Sequence, residues 1–355
     1  GISLAVAAVP EGLPAVVTIT LAFGAKAMVR KKALIRTLQA TETLGASTAI
    51  CTDKTGTLTE NQMTVTGIWL ATGAVEVTGT GYEPQGGFER DGLGVEVETD
   101  PDLNALLKTA IICNHAHVWN DGTQWQHLGK PTEAALVTVA MKAGITESDT
   151  SQIVHEISFS SERKRMSVVQ TEDDHAVVHV KGALEQILPR CTSIQASGEI
   201  NELTEELRQQ IRAAHETYAN KGRRVLCAAQ RALSARELEA GQLHAEEVES
   251  NLVFLGLFAI MDPPRPEVRD AIAQARSAGI KIVMITGDAP ETASAIASSL
   301  ELPVQRVLIG DELVSISDES LDAALSQDVL FARTTPEHKL RIVDRLLQLG
   351  HVVAM

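Results

Sequence analysis

The sequence predicts an α/β protein: a doubly wound parallel sheet, broken by a large α+β insertion and preceded by one apolar span. Three observations carry that prediction. From Leu252 onward short apolar runs alternate with helical stretches, with strands expected at 252–260, 281–286, 306–309, 329–332 and 351–354. The helices between them begin near Pro266, Pro290 and Pro336, and strands alternating with helices in this way build parallel sheets. A further strand at 48–53 has no such neighbours of its own, so it must join the later sheet, which makes residues 62–261 an insertion. Finally, Glu11 is the one ionisable side chain from Ile2 to Phe23, a stretch long enough to cross a bilayer.

The span, at 1–25, comes first in the chain. Lys26, Arg30, Lys31, Lys32 and Arg36 follow it at once, which places this end in the cytoplasm by the positive-inside bias. A signal peptide would carry its charges before the apolar run instead. Pro10-Glu11-Gly12-Leu13-Pro14 lies mid-span, where two prolines and a glycine unwind a helix and free backbone carbonyls. A carboxylate in hydrocarbon is costly and marks a functional site. Glu11 beside loose carbonyl oxygens makes a cage suited to a hard cation.

After residues 26–61, which hold the isolated strand, the text changes character. Short strands are expected over 62–100, as at 64–69 and 75–78, separated by Gly, Thr and Pro. Helices follow at 102–116 and 132–144, the second opening at Pro131-Thr132-Glu133. Segments 154–157, 166–170 and 176–180 read as strands of an antiparallel sheet. A long amphipathic helix then sets Leu203, Leu207, Ile211, Ala214 and Tyr218 on one face, with Gly222 just past its end. Asn61-Gln62 is the expected way out of the parallel-sheet domain and Asp262-Pro263-Pro264-Arg265 the way back, stiffened by its paired prolines. Residues 262–355 complete that domain.

Composition excludes several classes. At 355 residues the chain suffices for two or three domains. A net charge of −15 argues against a nucleic-acid binder. Cys51, Cys113, Cys191 and Cys227 are widely separated and fit reduced thiols better than a disulfide frame or a zinc site. His115, His117 and His127 lie near one another, but no Cys or carboxylate completes a ligand set. A P-loop is missing, because Gly122 and Gly129-Lys130 are wrongly spaced and Pro131 stands where Ser or Thr is required. No Gly-x-Gly-x-x-Gly run follows a strand either.

The chemistry concentrates at 51–59, Cys-Thr-Asp-Lys-Thr-Gly-Thr-Leu-Thr. Asp53 stands at the carboxyl end of its strand, where ligands sit in open α/β sheets. The Lys, three Thr hydroxyls and Gly after it can cradle a phosphate. A carboxylate is a usable nucleophile at neutral pH, and covalent capture splits hydrolysis into two steps that can be coupled to motion. Ile285-Thr286-Gly287-Asp288 ends another strand with the same ingredients, and Arg333 ends a third. Lys339, in the first turn of the next helix, opposes the helix dipole, which is mildly unfavourable unless it serves an anion.

Asp53-Lys54-Thr55-Gly56-Thr57-Leu58-Thr59 resembles the phosphorylation signature of P-type ATPases, the cation pumps that pass through an aspartyl-phosphate. The resemblance extends over essentially the whole chain. It implies a haloacid-dehalogenase-like phosphorylation domain, split between 26–61 and 262–355, with a nucleotide-binding domain inserted at 62–261. By the same resemblance Asp53 takes the γ-phosphoryl group of ATP and Lys339 neutralises the group in transfer, with Asp53 and Thr55 at Mg²⁺. Thr286 and Gly287 become phosphate contacts, and Asp288, Arg265 and Arg333 serve the nucleotide. Phe159 is similar to the aromatic that stacks on adenine, and Lys181 to the lysine lining the adenosine pocket. Glu133 and Arg224 resemble further nucleotide contacts, though Arg223 could exchange roles with Arg224. Pro-Glu-Gly-Leu-Pro looks like the fourth membrane helix of calcium pumps of the sarcoplasmic-reticulum and secretory-pathway kind and their bacterial relatives. That likeness implies Glu11, with backbone oxygens of Val6, Ala7 and Val9, as ligands of the transported cation.

Thr55 separates this chain from the wider dehalogenase-like phosphatases, which usually place a second Asp there as general acid and base. A threonine cannot activate water, so a phosphoenzyme should persist, which suits a pump. The expected whole is an ATP-driven cation pump in a membrane, its large domains cytoplasmic, with Ca²⁺ first in line and Mn²⁺ or Na⁺ open. Its partners are ATP, the transported divalent cation, the bilayer, and the actuator and remaining membrane segments of the same polypeptide. The chain stops at Met355, where the family continues into a Gly-Asp-Gly-x-Asn-Asp loop whose acid helps hold Mg²⁺. This piece alone is therefore expected to bind ATP weakly without turning over. Two other classes fit less: a soluble dehalogenase-like phosphohydrolase would need an acid at Thr55 and no span, and a membrane-tethered binding module would tolerate loss of Asp53.

Overall fold

A computed structural model of the chain describes residues 12–146, 152–172, 175–234, 237 and 243–355. Val6, Ala7, Val9 and Glu11 lie outside the described residues, as does the first part of the expected span. The chain divides into two units. One contains the described residues up to Lys54 with Glu267–Pro290 and Leu300–Met355; the other contains Thr55–Pro266 and Glu291–Ser299.

The first unit opens with a helix at Leu13–Arg30, long and apolar enough by length and composition to cross a membrane. Gly12 precedes it and Pro14 sits in its first turn, where a missing N–H costs nothing. Apolar side chains such as Val16, Ile19 and Phe23 stand exposed along it. After a short helix at Leu38–Gly45 comes the strand Ala49–Thr52. It enters a five-stranded parallel sheet in the order 306–309, 329–332, 281–285, 49–52, 353–354. The isolated strand thus joins the later sheet, as its lack of neighbours requires. Cys51, Val283, Ile285, Leu308, Phe331, Ile342 and Leu346 share one buried core. Crossover helices include Val268–Ser277 and Pro336–Gln348. Two short helices that the strand–helix alternation does not predict, Gly310–Ser315 and Asp318–Leu325, follow the strand 306–309.

The second unit is built on a mainly antiparallel sheet. From 93–94 it runs through 88–90, 73–77, 64–70, 252–261, 224–233, 175–182 and 165–172 to 153–157. Helices Pro101–Ile112 and Pro131–Lys142 contribute Leu103, Leu106, Leu107, Leu136 and Val139 to a core shared with Ile68, Met166, Phe258 and Ile260. The opposite core holds Val178, Val180, Ile194, Ile211, Phe254 and Leu257. This arrangement corrects one expectation. Leu252–Met261 does not begin the parallel sheet; it pairs antiparallel with 64–69 and with 224–230. Both of its faces are covered, so its sequence is an almost unbroken apolar run of the kind that buried parallel strands show. Period alone cannot separate the two cases. The strand Arg224–Leu233 and the hairpin His117–Asn120 with Trp125–Leu128 are further elements that the sequence pattern does not predict.

His179 sits in this sheet, nearly inaccessible, with Nδ1 2.9 Å from the Thr109 hydroxyl. Burial, aided by the charge of Lys108, pushes its pKa down from 6.5 to about 4. Its folded value lies below its unfolded one, so the unfolded chain binds the extra proton between those limits. Stability present above pH 6.5 should therefore be lost as pH falls towards 4, by on the order of 3 kcal/mol. Urea unfolding at pH 7 and pH 4.5 checks this: His179→Gln, whatever its stability at pH 7, should lose clearly less on acidification. Equal losses in parent and variant would assign the acid sensitivity elsewhere.

Candidate active site

The parallel sheet delivers three strand ends to one rim, because parallel strands finish on the same side. Asp53 follows Thr52, Thr286 follows Ile285, and Arg333 follows Ala332. The loops are tied to each other: Thr286 N donates to Phe331 O (2.9 Å), Arg333 N to Asp288 O (2.9 Å), and Thr334 N to Thr286 O (3.0 Å). The Thr286 hydroxyl accepts from Asp288 N at 3.1 Å, closing the turn around Gly287. Arg333 is held at φ 49°, a left-handed conformation that non-glycine residues seldom adopt. Its carbonyl is packed so closely on Gly310 that a Cβ there would lie 2.2 Å from it.

Asp53 is 40% exposed, open enough to meet a ligand. Its Oδ1 accepts from Lys54 N at 2.7 Å, and its Oδ2 pairs with the Lys339 ammonium. The helix that carries Lys339 starts where Thr335 caps it, its hydroxyl accepting from His338 N, with Pro336 at the first position. That cap and proline fix the helix start, and so aim the fourth residue at the rim. The 7%-exposed side chain of Lys54 pairs with Asp288 Oδ2 at 2.5 Å, a partnership between residues 234 positions apart that no sequence spacing marks.

Beyond Lys54 the chain turns at Thr55 (φ −73°, ψ 122°) and Gly56 (φ 75°, ψ −8°), the angles of a type II turn. Glycine is required at that second position because φ is positive there. In the second unit, Arg265 N donates to Leu58 O (2.9 Å) and its guanidinium to Gly56 O (3.2 Å), so Arg265 braces this loop. The two connecting segments, around 59–62 and 262–265, are bonded to each other. Asp262 accepts from the Thr59 hydroxyl (2.5 Å) and from Gln62 N (3.2 Å), and Glu60 N donates to Pro263 O.

The second unit also holds a cleft of about 450 Å³, and Glu133, Phe159, Lys181 and Arg224 all line it. Lys181 Nζ pairs with Glu133 Oε1 at 2.8 Å, the lysine side chain 8% exposed. Phe159 presents a half-exposed ring, with Lys130 Nζ 4.9 Å from its centroid. A flat apolar face beside buried polar groups is the anatomy of a ligand site. Arg224 donates to the Thr132 hydroxyl at 2.9 Å, while Arg223 stacks on Tyr218 instead. Gly182 is needed in the cleft wall: a Cβ there would lie 2.5 Å from Lys164 O, which accepts from Ala183 N. Lys130 and Lys164 line the cleft as well, and sequence reasoning missed both. Nothing but their neighbours, Pro131 and the 159–166 motif, hinted at them.

Among the described residues no group of three or more His, Cys, Asp or Glu is placed to hold a metal ion. His115 instead pairs with Glu156 at 2.9 Å. All four cysteines are free and buried.

Comparison with known proteins gives a consistent result. Residues 102–267 match the family model described as P-type ATPase, cytoplasmic domain N. The whole chain aligns at 39% identity with 40% of the "Calcium-transporting ATPase" of Bacillus subtilis (strain 168). It aligns equally completely, at 41% identity, with 40% of the "Probable cation-transporting ATPase F" of Mycobacterium tuberculosis. A human relative, "Calcium-transporting ATPase type 2C member 1", is 40% identical, the chain spanning 37% of it. The chain thus covers about two fifths of the length of these curated relatives.

Proposed function

Because the chain belongs to the P-type cation-transporting ATPases, we propose that it carries the phosphorylation and nucleotide-binding parts of an ion pump, with Asp53 as the phosphorylated residue. The observation that supports this reading best is Asp53 on the carboxyl rim of the parallel sheet, paired with Lys339 beside the Thr286–Asp288 turn. The sheet is then a haloacid-dehalogenase-like phosphorylation domain, 26–61 with 262–355, and 62–261 is the nucleotide-binding insertion.

In this reading ATP is the substrate. Its adenosine end occupies the cleft, with the base on Phe159 and with Lys181, Glu133 and Arg224 around the rest. A carboxylate oxygen of Asp53 attacks the γ-phosphorus. A new P–O bond forms while the bond to the β–γ bridging oxygen breaks, and ADP leaves with that electron pair. The ammonium of Lys339 offsets negative charge on the phosphoryl oxygens, which is the main work of catalysis in such a transfer. Thr286, Gly287, Asp288 and Arg333 serve the phosphate end, and Arg265 holds the Thr55–Leu58 turn in shape. An exposed carboxylate with oxygen donors nearby in the chain suits Mg²⁺, so Asp53 and Thr55 would hold that ion, which supplies charge neutralisation when bound. With threonine at position 55, no acid stands two residues on to activate water, and the aspartyl-phosphate lasts.

The transported ion is a cation, Ca²⁺ before Mn²⁺ or Na⁺, held by Glu11 with backbone oxygens of Val6, Ala7 and Val9. The apolar helix at Leu13–Arg30 belongs to the membrane portion and the large domains to the cytoplasm. The test uses the full-length protein in membranes with γ-radiolabelled ATP. Label should appear on protein only when the transported ion is present, with Ca²⁺ most effective, and hydroxylamine should release it. Label that resists hydroxylamine would remove the acyl-phosphate from consideration.

A further inference from the structure

We propose that Glu249 is a positioning residue for ATP: it fixes the loop that carries Phe159 and thereby sets nucleotide affinity without touching the nucleotide. The proposal rests on reading the cleft as the adenosine site.

Glu249 is fully buried, although it is a carboxylate. Burying an unpaired charge is prohibitive, so the group must be compensated where it stands. Arg165 Nε donates to its Oε2 at 2.6 Å, the Ser167 hydroxyl to its Oε1 at 2.7 Å, and Arg163 Nη2 to Oε1 as well. The donors lie more than eighty residues away in sequence, on the strand and loop that border the cleft. Arg163 is the link to Phe159. While Nη2 holds Glu249, Nη1 donates to Ser158 O at 3.1 Å, the carbonyl immediately before the aromatic residue. Arg163 N also donates to the Ser160 hydroxyl, immediately after it. Arg165 closes the loop by donating to Arg163 O at 3.2 Å. One planar guanidinium thus bridges the buried carboxylate to the backbone flanking Phe159, a task that a lysine's point charge could not perform.

The ring needs this support. Phe159 is 49% exposed, so packing alone does not settle where it lies. The next cleft residue on the loop, Lys164, has φ 49°, a conformation held only when its surroundings insist. An apolar trio of similar volume would stabilise the unit as well as a buried ion network does. What the network adds is a single loop geometry, and a stacking platform depends on geometry.

The experiment uses the full-length protein and measures the ATP concentration needed for half-maximal phosphorylation. Acetyl phosphate, a phosphoryl donor with no adenine, serves as the control substrate. Glu249→Gln should raise the ATP requirement about tenfold, the scale of losing a base–aromatic stack, while phosphorylation from acetyl phosphate moves less than about twofold, because its route bypasses the stack. Phe159→Ala should give a similar rise, and adding Glu249→Gln to it should add little, since coupled residues are not additive. Ser167→Ala, which removes one donor and keeps every charge, should shift the ATP requirement the same way by a smaller factor; it carries the test if the Gln variant fails to fold. An unchanged ATP requirement in Glu249→Gln or, in its absence, in Ser167→Ala, or a full effect of Glu249→Gln in the Phe159→Ala background, overturns the positioning role. If Phe159→Ala itself leaves the ATP requirement unchanged, the adenosine reading of the cleft falls first.

Discussion

Asp53→Asn in the full-length protein is expected to lower label transfer from ATP by at least about 10³-fold, to the limit of detection, because on the proposed reading it removes the covalent nucleophile and with it the pathway. Asparagine has nearly the same shape. Its side-chain oxygen can still accept from Lys54 N, the contact that Asp53 Oδ1 makes at 2.7 Å. What it lacks is a carboxylate's nucleophilic oxygen and the charge that pairs with Lys339. Since Asp53 is 40% exposed, folding should change by no more than about 1 kcal/mol, the range for partly exposed surface positions. Nucleotide should still bind, because Glu133, Phe159, Lys181 and Arg224 line a cleft that does not include Asp53. The measurement is paired: hydroxylamine-labile label for chemistry, and nucleotide displacement for binding. Retained label would mean that another group is phosphorylated. Loss of both label and nucleotide binding would mean that the substitution acts through folding.

The sequence made the rim legible because its signals are local. A strand, an acid at its end and a Thr-Gly turn occupy consecutive residues, and Thr335-Pro336 announces the helix that carries Lys339. The four cleft residues were legible in a different way. Each alone is an ordinary residue of a helix start, a loop or a strand, and only the resemblance of short motifs assembled them; all four line the one cleft. The failures share a physical cause. Leu252–Met261 is buried on both faces, so its composition could not reveal whether its partners run parallel or antiparallel. Lys54 with Asp288, and Glu249 with Arg163 and Arg165, are partnerships made by folding across hundreds or tens of residues. No spacing rule marks them. Arg223 and Arg224 are adjacent and chemically identical, and only the alternation of the strand beginning at Arg224 decides which one reaches the cleft.

Lys339→Met should separate chemistry from stability most sharply. Methionine keeps the length and the apolar stem but deletes the charge that meets Asp53. If that ammonium stabilises the transferring phosphoryl group, phosphorylation should slow by about 10²- to 10³-fold, the usual cost of one preorganised electrostatic contact. ATP affinity at the cleft should be unchanged, since Lys339 does not line it. Stability should barely respond. A partly exposed pair contributes about 0–1 kcal/mol, and removing a cation from a helix's first turn relieves an unfavourable dipole term of similar size. Lys339→Arg should restore only a small part of the rate, because a broad planar fork cannot occupy the place of a compact ammonium held against one carboxylate oxygen. A structural tie would behave in the opposite way: the arginine variant would recover function with stability, and the methionine variant would lose both together. Phosphorylation kinetics and denaturant unfolding on the same three proteins decide between the two, because an electrostatic catalyst moves the first and leaves the second almost still.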